Sequence, residues 1–257
     1  MELKLNGRTA LVTGGSRGLG YGTARVLAAE GCNIHLASRS AADLETARAR
    51  LTKDYGVQVT CHALDLSRTE NAVQLARACA DADILVNNAG AIPQGTLAAI
   101  DDKTFREAWD LKVFGFISIT REIYAAMCKR RRGVIVNIIG VAGERPVANY
   151  IAGSMGNAAL MAMTKALGAE SPEYGVRVIG INPGGTETDR QVVRWRARAT
   201  KELGDAERWR ELTTGFPFGR LATVDEVANM AAFLCSDLSA YTTGTIITID
   251  GGASARR

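Results

Sequence analysis

A glycine-rich turn stands directly after the first apolar segment of the chain. Residues Thr13 to Gly20 read TGGSRGLG, with glycines at positions 14, 18 and 20. Glycine permits a tight turn and a close approach of backbone N–H groups to a ligand, and the start of a following helix favours negative charge. Between a strand and a helix, this pattern is typical of a turn that binds the pyrophosphate of a dinucleotide.

A second group of residues that could do chemistry lies in the middle of the chain. Tyr150, Ser154 and Asn157 are spaced i, i+4 and i+7, which predicts that they share one face of a helix. A phenol on such a face can donate or accept a proton if the face borders a cleft.

Seven short apolar segments rich in β-branched residues alternate with helical patterns. Near-continuous apolar strands are what a parallel sheet buried on both faces requires. The alternation therefore predicts a three-layer, doubly wound α/β fold, Rossmann-like, with about seven parallel strands. Ser40, with Asp43 three residues later, predicts a capping box at the second helix. The predicted strands are residues 9–13, 33–37, 57–64, 83–87, 134–139, 176–182 and 245–250.

No linker or repeat interrupts this alternation, so residues 1–257 are predicted to form a single domain. One irregular stretch, residues 186–217, is long enough to include a mobile lid over a site. Within it, basic residues recur on one helical face from Arg190 to Lys201. This face would either steer an anionic substrate or form a solvated surface, and the solvated surface is the simpler interpretation.

Further motifs follow the glycine-rich turn along the whole chain. Asp65, the run NNAG from Asn87 and the run PGGTET from Pro183 come next, and DGG from Asp250 ends the series. Together with the turn, these motifs resemble those of the short-chain dehydrogenase/reductase family over essentially the full length. The resemblance implies a Rossmann-type fold, a nicotinamide dinucleotide, a small-molecule carbonyl or alcohol as substrate, and a homotetramer or homodimer.

The resemblance also implies which residues hold the cofactor. A carboxylate at the end of the second strand would bind the adenosine ribose, but Ser38 and Arg39 stand there and Arg17 lies in the glycine-rich turn, so NADP(H) is expected. Asp65 would accept from the adenine amino group, and Thr188 would hold the nicotinamide amide. The expected cofactor-binding residues are Gly14, Ser16, Arg17, Gly18, Leu19, Gly20, Ser38, Arg39, Asp65, Leu66, Asn88, Ala89, Gly90, Pro183, Gly184, Thr186 and Thr188.

The chain departs from the family where the chemistry is expected. Family members carry a Tyr-x-x-x-Lys pair on a helix, a Ser at the end of the preceding strand and an Asn one helix earlier, but no lysine stands four residues after Tyr150. Counting from neighbouring motifs places Gly140, Gly153 and Asn157 at the Ser, Tyr and Lys positions. Lys112 stands at the Asn position. Keeping Tyr150 as the family tyrosine would instead require three residues inserted within the helix.

The replaced positions leave three interpretations open. In the first, Tyr150 is the acid and base and Lys112 supplies the positive charge. Ser154 then completes the catalytic set beside Tyr150, and Asn157 binds the nicotinamide ribose. In the second, hydride transfer takes its proton from water or substrate and loses roughly 10²–10⁴ in rate. In the third, the chain binds NADP(H) without chemistry, as a sensor or partner subunit. The intact cofactor motifs favour chemistry.

Composition excludes several other functions. The 257 residues carry 31 Lys and Arg against 27 Asp and Glu, and this small, dispersed net charge of +4 predicts neither a nucleic-acid nor a membrane surface. His35 and His62 are the only histidines and the five cysteines are isolated, so no metal site is expected. No apolar run is long enough for a signal peptide or a membrane span. We therefore expect a cytoplasmic protein with reduced thiols.

Overall fold

Seven parallel strands form the central sheet of the computed structural model, which describes residues 2–256. The strands are β1 (Thr9–Thr13), β2 (Asn33–Ser38), β3 (Val59–Ala63), β4 (Ile84–Asn87), β5 (Gly133–Ile138), β6 (Val176–Pro183) and β7 (Ile246–Ile249). Their order is β3-β2-β1-β4-β5-β6-β7, so the winding direction reverses between β1 and β4. The predicted α/β fold and all seven predicted strands are confirmed, with ends that differ by at most two residues.

Helices cover both faces of the sheet and produce the three layers. They are α1 (Gly18–Ala29), α2 (Ala41–Tyr55), α3 (Thr69–Ala78), α4 (Asp102–Trp109), α5 (Gly115–Arg130), α6 (Ile151–Glu170), α7 (Asp189–Leu203) and α8 (Val224–Cys235). Successive strand side chains point to opposite faces. In β1, Val12 belongs to the core shared with α1, α2 and α8, whereas Leu11 belongs to the core shared with α3 and α5. Within residues 2–256, every helix is too short or too polar to cross a membrane.

The start of α2 is capped differently from the sequence prediction. The Ser40 hydroxyl oxygen accepts a hydrogen bond from the Asp43 backbone N–H at 3.2 Å, as expected. The Asp43 carboxylate does not return to the Ser40 backbone, because it pairs with Arg17 at 2.8 Å. The predicted capping box is therefore only half formed, and its acidic member ties α2 to the glycine-rich turn. A complete box stands at α8, where Thr223 and Glu226 cap each other.

The stretch 186–217, predicted to be irregular, is mostly helical. It contains α7 and a run of 3₁₀ turns over Ala206–Thr213. Thr188 begins α7 by accepting from the Gln191 backbone N–H at 3.4 Å. Trp209 is buried beside Leu221 in a small core of its own. A local apolar cluster thus orders this segment beside the carboxyl edge of the sheet.

A buried chain of polar side chains joins the strands and helices beneath that edge. Asn87, at the end of β4, donates to the Thr120 hydroxyl at 2.8 Å and to the Asn137 amide oxygen at 2.9 Å. Asn137 in turn donates to the Thr164 hydroxyl at 2.8 Å. Buried polar groups need partners of this kind, although the Asn87 amide oxygen has none among residues 2–256. The network holds β4, β5, α5 and α6 in register under the crevice.

Candidate functional site

A crevice of about 930 Å³ opens at the carboxyl ends of the strands, where the order reverses between β1 and β4. Open parallel sheets bind ligands at such points because the loops diverge to opposite faces. The glycine-rich turn, the end of β2, the segment after β4 and the start of α7 form its walls. Of the predicted cofactor-binding residues, all except Gly20 and Asp65 line this crevice.

The glycine-rich turn is held close to the segment after β4. The Asn88 side-chain amide donates to the carbonyls of Thr13 and Gly14, at 3.1 and 3.3 Å. Gly14 has a φ of +65°, and a Cβ there would lie 2.8 Å from the Asn88 amide nitrogen. A Cβ at Gly20 would lie 2.2 Å from the Gly14 carbonyl oxygen. Glycine is therefore required at both positions, and Gly20 acts by packing behind the turn.

The end of β2 offers groups for an anionic ligand. The Ser38 hydroxyl is buried in the crevice wall and has no hydrogen-bond partner among residues 2–256, and Arg39 is exposed beside it. Arg17 faces the same place from the glycine-rich turn and pairs with Asp43. An orphaned buried hydroxyl costs free energy unless a ligand satisfies it. Two arginines and this hydroxyl suit a phosphate on a nucleotide ribose.

Asp65 has a local partner instead of facing the crevice. One carboxylate oxygen accepts from the Ser67 backbone N–H at 3.1 Å and from its hydroxyl at 2.9 Å. The flanking Leu64 and Leu66 line the crevice and present apolar surface where an adenine would lie. The Asp65 carboxylate therefore shapes the loop after β3, and the role predicted for it toward the adenine amino group stays a prediction.

Tyr150 reaches the crevice from the residue before α6. Its ring occupies the space that a side chain at position 153 would need, because a Cβ on Gly153 would lie 2.1 Å from two carbons of the ring. Tyr150 thus lines the crevice about one helical turn before Gly153. Burial raises the pKa of Tyr150, while the charges of Arg194 and Arg190 act to lower it.

Lys112 lies in a single turn of π-helix, Asp110–Phe114, that joins α4 to α5. Its ammonium nitrogen donates to the Ile138 carbonyl at the end of β5, at 2.8 Å. The side chain passes beneath Gly90, where a Cβ would lie 2.5 Å from Lys112 Cδ. π-Turns occur often at functional sites, and this one directs a lysine into the crevice wall.

The Lys112 amine is poised to titrate near neutrality. The residue is only 8% exposed, and its burial, with a smaller effect from the charge of Arg190, lowers the pKa of Lys112 to about 7. Removal from water disfavours the charged form of an amine, so the proton is held less firmly than on a surface lysine. Among the four predicted catalytic residues, only Lys112 and Tyr150 line the crevice.

Ser154 and Asn157 face away from the crevice and support its walls. The Ser154 hydroxyl accepts from the Val147 backbone N–H at 3.0 Å, which holds the loop before α6. The Asn157 amide donates to the Gly140 carbonyl at 3.3 Å, and its own oxygen is buried without a partner. Gly140 has a φ of +132°, and a Cβ there would meet the Asn157 amide at 2.9 Å. The three side chains predicted to share one face therefore do not all reach the crevice, because the loop before α6 binds the Ser154 hydroxyl.

The basic helical face is exposed, as its interpretation as a solvated surface predicted, and two of its residues, Arg190 and Arg194, also line the crevice. Arg190 donates to the Gly90 carbonyl at 3.4 Å, and Arg194 lies one turn further along α7. Arg198, a turn beyond, pairs instead with Glu202 at 2.7 Å on the exposed side. The spacing of Arg190 and Arg194 predicted that they share one helical face. Only the packing of α7 shows which part of that face lines the crevice.

Known proteins match this chain over nearly its whole length. Residues 14–254 match the family model described as enoyl-(acyl carrier protein) reductase. The 3-oxoacyl-(acyl-carrier-protein) reductase FabG of Chlamydia trachomatis is 31% identical over 252 residues, covering 95% of this chain and 96% of that protein. Galactitol 2-dehydrogenase (L-tagatose-forming) of Cereibacter sphaeroides is 33% identical over 254 residues, covering 97% and 96%.

Solved structures share the fold closely. The structure of L-sorbose reductase from Gluconobacter frateurii, complexed with NADPH and L-sorbose, superposes with a TM-score of 0.94 at 29% identity and covers 100% of both chains. A structure of NAD⁺-bound xylitol dehydrogenase superposes with a TM-score of 0.87 at 26% identity, covering 97% of this chain and 100% of that one. The relatives thus include proteins with either nicotinamide cofactor.

Proposed function

The chain belongs to the short-chain dehydrogenase/reductase family of oxidoreductases, and on that premise we propose that it interconverts a carbonyl and an alcohol using NADP(H), with Tyr150 as proton carrier. The observation that carries the proposal is the Tyr150 ring, which fills the room left by Gly153 and lines the crevice. Gly153 has no side chain, and Tyr150 in the preceding turn places its phenol ring in that space.

The proposed cofactor is NADP(H) because the ribose end of the crevice is cationic. The orphaned Ser38 hydroxyl, Arg39 and Arg17 converge there, and β2 ends without the carboxylate that would bind ribose hydroxyls and repel a 2′-phosphate. Residues of the glycine-rich turn would hold the pyrophosphate, and Thr188 with the backbone after Pro183 would hold the nicotinamide. When bound, the cofactor supplies or accepts the hydride.

Replacing Arg39 by alanine should weaken NADPH binding by about tenfold to a hundredfold and leave NADH binding within about twofold. The reason is that hydrogen bonds to charged groups contribute about 1.5–3 kcal/mol, and only NADPH carries the extra phosphate. Nicotinamide fluorescence titrations of both cofactors measure the two dissociation constants. Arg48→Ala is the matched control, because Arg48 lies on the nearby helix α2 and pairs with Glu45. An equal loss for NADH and NADPH would contradict the cofactor assignment.

The proton chemistry proposed for the site belongs to Tyr150. In reduction, the phenol donates its proton to the carbonyl oxygen as a hydride reaches the carbonyl carbon, and in oxidation the phenolate takes the proton back from the alcohol. Arg190 and Arg194 oppose the effect of burial on this phenol and so favour its ionised form. Lys112 adds a titratable ammonium to the same crevice, and Ser154 and Asn157 act by positioning the walls.

The proposed substrate is a small carbonyl or alcohol that carries a negative charge. Arg190 and Arg194 line the crevice, and neither has a carboxylate partner within ion-pair distance among residues 2–256. Unpaired cations at a crevice attract anions and raise their local concentration. A panel of carbonyl compounds matched in size, with and without a carboxylate or phosphate, tests this by comparing kcat/KM. Equal values across the pairs would argue against an anionic substrate.

Replacing Gly153 by alanine should lower kcat at least tenfold and leave the NADPH dissociation constant nearly unchanged. The new methyl group would lie 2.1 Å from the Tyr150 ring, so the ring must leave its position. Steady-state kinetics and a cofactor titration measure the two effects. In a Tyr150→Phe background, the same change should cause no further loss, since both act through one side chain. Full activity of Gly153→Ala would show that the ring position is not used.

The alternative function is that of a non-catalytic NADP(H)-binding sensor or partner subunit. Absence of turnover across the substrate panel, with intact NADPH binding, would support that alternative. We also propose that residues 1–257 form one domain, with 186–217 as the substrate segment, and that the protein is a cytoplasmic homotetramer or homodimer. Light scattering of the purified chain in solution gives its mass and tests the oligomer.

A further inference from the structure

The only two histidines of the chain meet a cysteine at the edge of the sheet, away from the crevice. His35 Nδ1 and His62 Nε2 are 2.9 Å apart, although the residues are separated by 27 positions. Cys79 Sγ lies 3.7 Å from the same His62 nitrogen, and all three ligand atoms lie within 4.8 Å of one another. The small number of histidines and the isolated cysteines predicted no metal site, so this cluster is visible only in the folded chain.

Strand register and helix length create this cluster. In the parallel pairing of β2 with β3, His62 stands opposite Ala37, and His35 stands opposite Thr60. The two histidines are therefore offset by two residues and point to the same face of the sheet. That face is covered by α3, and Cys79 directly follows the last residue of α3. The cluster thus draws its ligand atoms from β2, from β3 and from the residue after α3.

The distances suit a single tetrahedral ion. With Zn–N bonds of about 2.0–2.1 Å and a Zn–S bond of about 2.3 Å, tetrahedral angles place two nitrogens about 3.3 Å apart and a nitrogen about 3.6 Å from the sulfur. The separation of His62 Nε2 and Cys79 Sγ, 3.7 Å, matches the second value, and the two nitrogens, 2.9 Å apart, need to move apart by about 0.4 Å to reach the first. We propose that His35 Nδ1, His62 Nε2 and Cys79 Sγ bind one Zn²⁺ ion, whose fourth position is open to water.

The three groups are of the kinds that Zn²⁺ prefers as ligands, namely neutral imidazole nitrogens and a thiolate sulfur. Binding of the ion would release the thiol proton of Cys79 to solvent.

An ion at this place would stabilise the edge of the sheet. β3 is the terminal strand, paired only with β2, and the ion would join it to β2 and to the end of α3. Both histidines are partly exposed, which gives an ion access from solvent, whereas Cys79 is fully buried. The site is separate from the crevice, so the inference does not depend on the proposed function.

The test uses the full chain without a histidine tag, stripped of metal by dialysis against a chelator. Calorimetric titration with Zn²⁺ should show one ion per chain. Titration with Co²⁺ should give visible d–d bands of a tetrahedral site and the near-ultraviolet charge-transfer band of a thiolate ligand. Thermal unfolding should shift to higher temperature with Zn²⁺, since an ion bound only by the folded state stabilises it.

Two variants separate this site from adventitious binding. Cys79→Ser should weaken Zn²⁺ binding by at least about a hundredfold and abolish the thiolate band, because even residues that only support metal ligands contribute about 10- to 100-fold. Cys61→Ser should change neither, since the Cys61 thiol donates to the Leu44 carbonyl on the opposite face of the sheet. Absence of saturable Zn²⁺ binding, or of a thiolate band in the wild-type protein, overturns the proposal and leaves a hydrogen-bonded histidine pair. An unchanged band in Cys79→Ser overturns it as well.

Discussion

Replacing Tyr150 by phenylalanine should lower kcat by roughly 10²–10⁴ while the dissociation constant of NADPH changes by less than about twofold. The factor is that of a lost general acid and base. Phenylalanine keeps the ring that fills the space over Gly153, so the crevice wall should keep its shape and the loss should fall on the proton alone. Steady-state kinetics with a substrate from the carbonyl panel, and a fluorescence titration of the cofactor, measure the two quantities.

The pH dependence gives a second measure of the same residue. Burial raises the pKa of Tyr150, so the phenol is protonated at neutral pH and suited to reduction, whereas oxidation needs the phenolate. For the wild-type protein, kcat for alcohol oxidation should therefore rise with pH toward the alkaline range. This rise should disappear in Tyr150→Phe.

Tyr241→Phe is the control, because Tyr241 is fully exposed and does not line the crevice. A Tyr150→Phe variant that retains more than about a tenth of wild-type kcat would exclude Tyr150 as the proton carrier. Water or substrate would then remain as the proton source.

Replacing Lys112 by methionine should stabilise the protein at neutral and acidic pH by about 2 to 4 kcal/mol. The folded protein holds the pKa of Lys112 at about 7 against its ordinary 10.5, a difference equivalent to about 5 kcal/mol. The substitution also leaves the Ile138 carbonyl without its donor, at a cost of about 1–3 kcal/mol. The balance is a net gain in the free energy of unfolding.

The sign of the pH dependence follows from the same two pKa values. Because the unfolded chain keeps the Lys112 proton up to about pH 10.5 and the folded chain only up to about pH 7, the folded state is fully penalised below pH 7. The penalty disappears as the pH rises from 7 to 10.5. The stability curves of the wild type and Lys112→Met should therefore converge, and cross, in the alkaline range.

Urea unfolding at several pH values measures this effect. Lys165→Met is the matched control, since Lys165 is exposed on α6 and should show no such convergence. The kcat of the same Lys112→Met variant should be lower by at least about tenfold. A buried group that destabilises the fold is often retained because the function needs it. A stability difference that does not vary with pH would show that Lys112 keeps its ordinary titration in the folded protein.

The fold and the glycine-rich wall of the crevice were predictable from local patterns. Apolar runs of strand length, separated by helical periods, predicted all seven strands, because burial on both faces of a parallel sheet imposes that pattern on each segment separately. The glycine-rich turn was equally predictable from the sequence, since Gly14 and Gly20 lie where a Cβ would collide with a neighbouring backbone or amide group. Residues at strand ends then share one edge of the sheet by topology alone.

The catalytic face was predicted only in part. Helical spacing predicted that Tyr150, Ser154 and Asn157 share one helix face, but Tyr150 precedes α6 and only Tyr150 of the three lines the crevice, because spacing does not show what packs against a helix. The loop before α6 binds the Ser154 hydroxyl through Val147, and the Tyr150 ring folds back over Gly153. Both results depend on the path of a loop whose residues carry no regular period.

By itself, the sequence determined the strands, the order of the motifs and the cationic end of the crevice beside β2, since each arises from residues near one another in the chain or from the common edge of parallel strands. Only the tertiary structure decided which basic residues of α7 line the crevice and that His35, His62 and Cys79 meet. Strand register and the packing of α3 over the sheet set those distances. Contacts between residues far apart in sequence depend on how whole elements pack, and no local pattern records that packing.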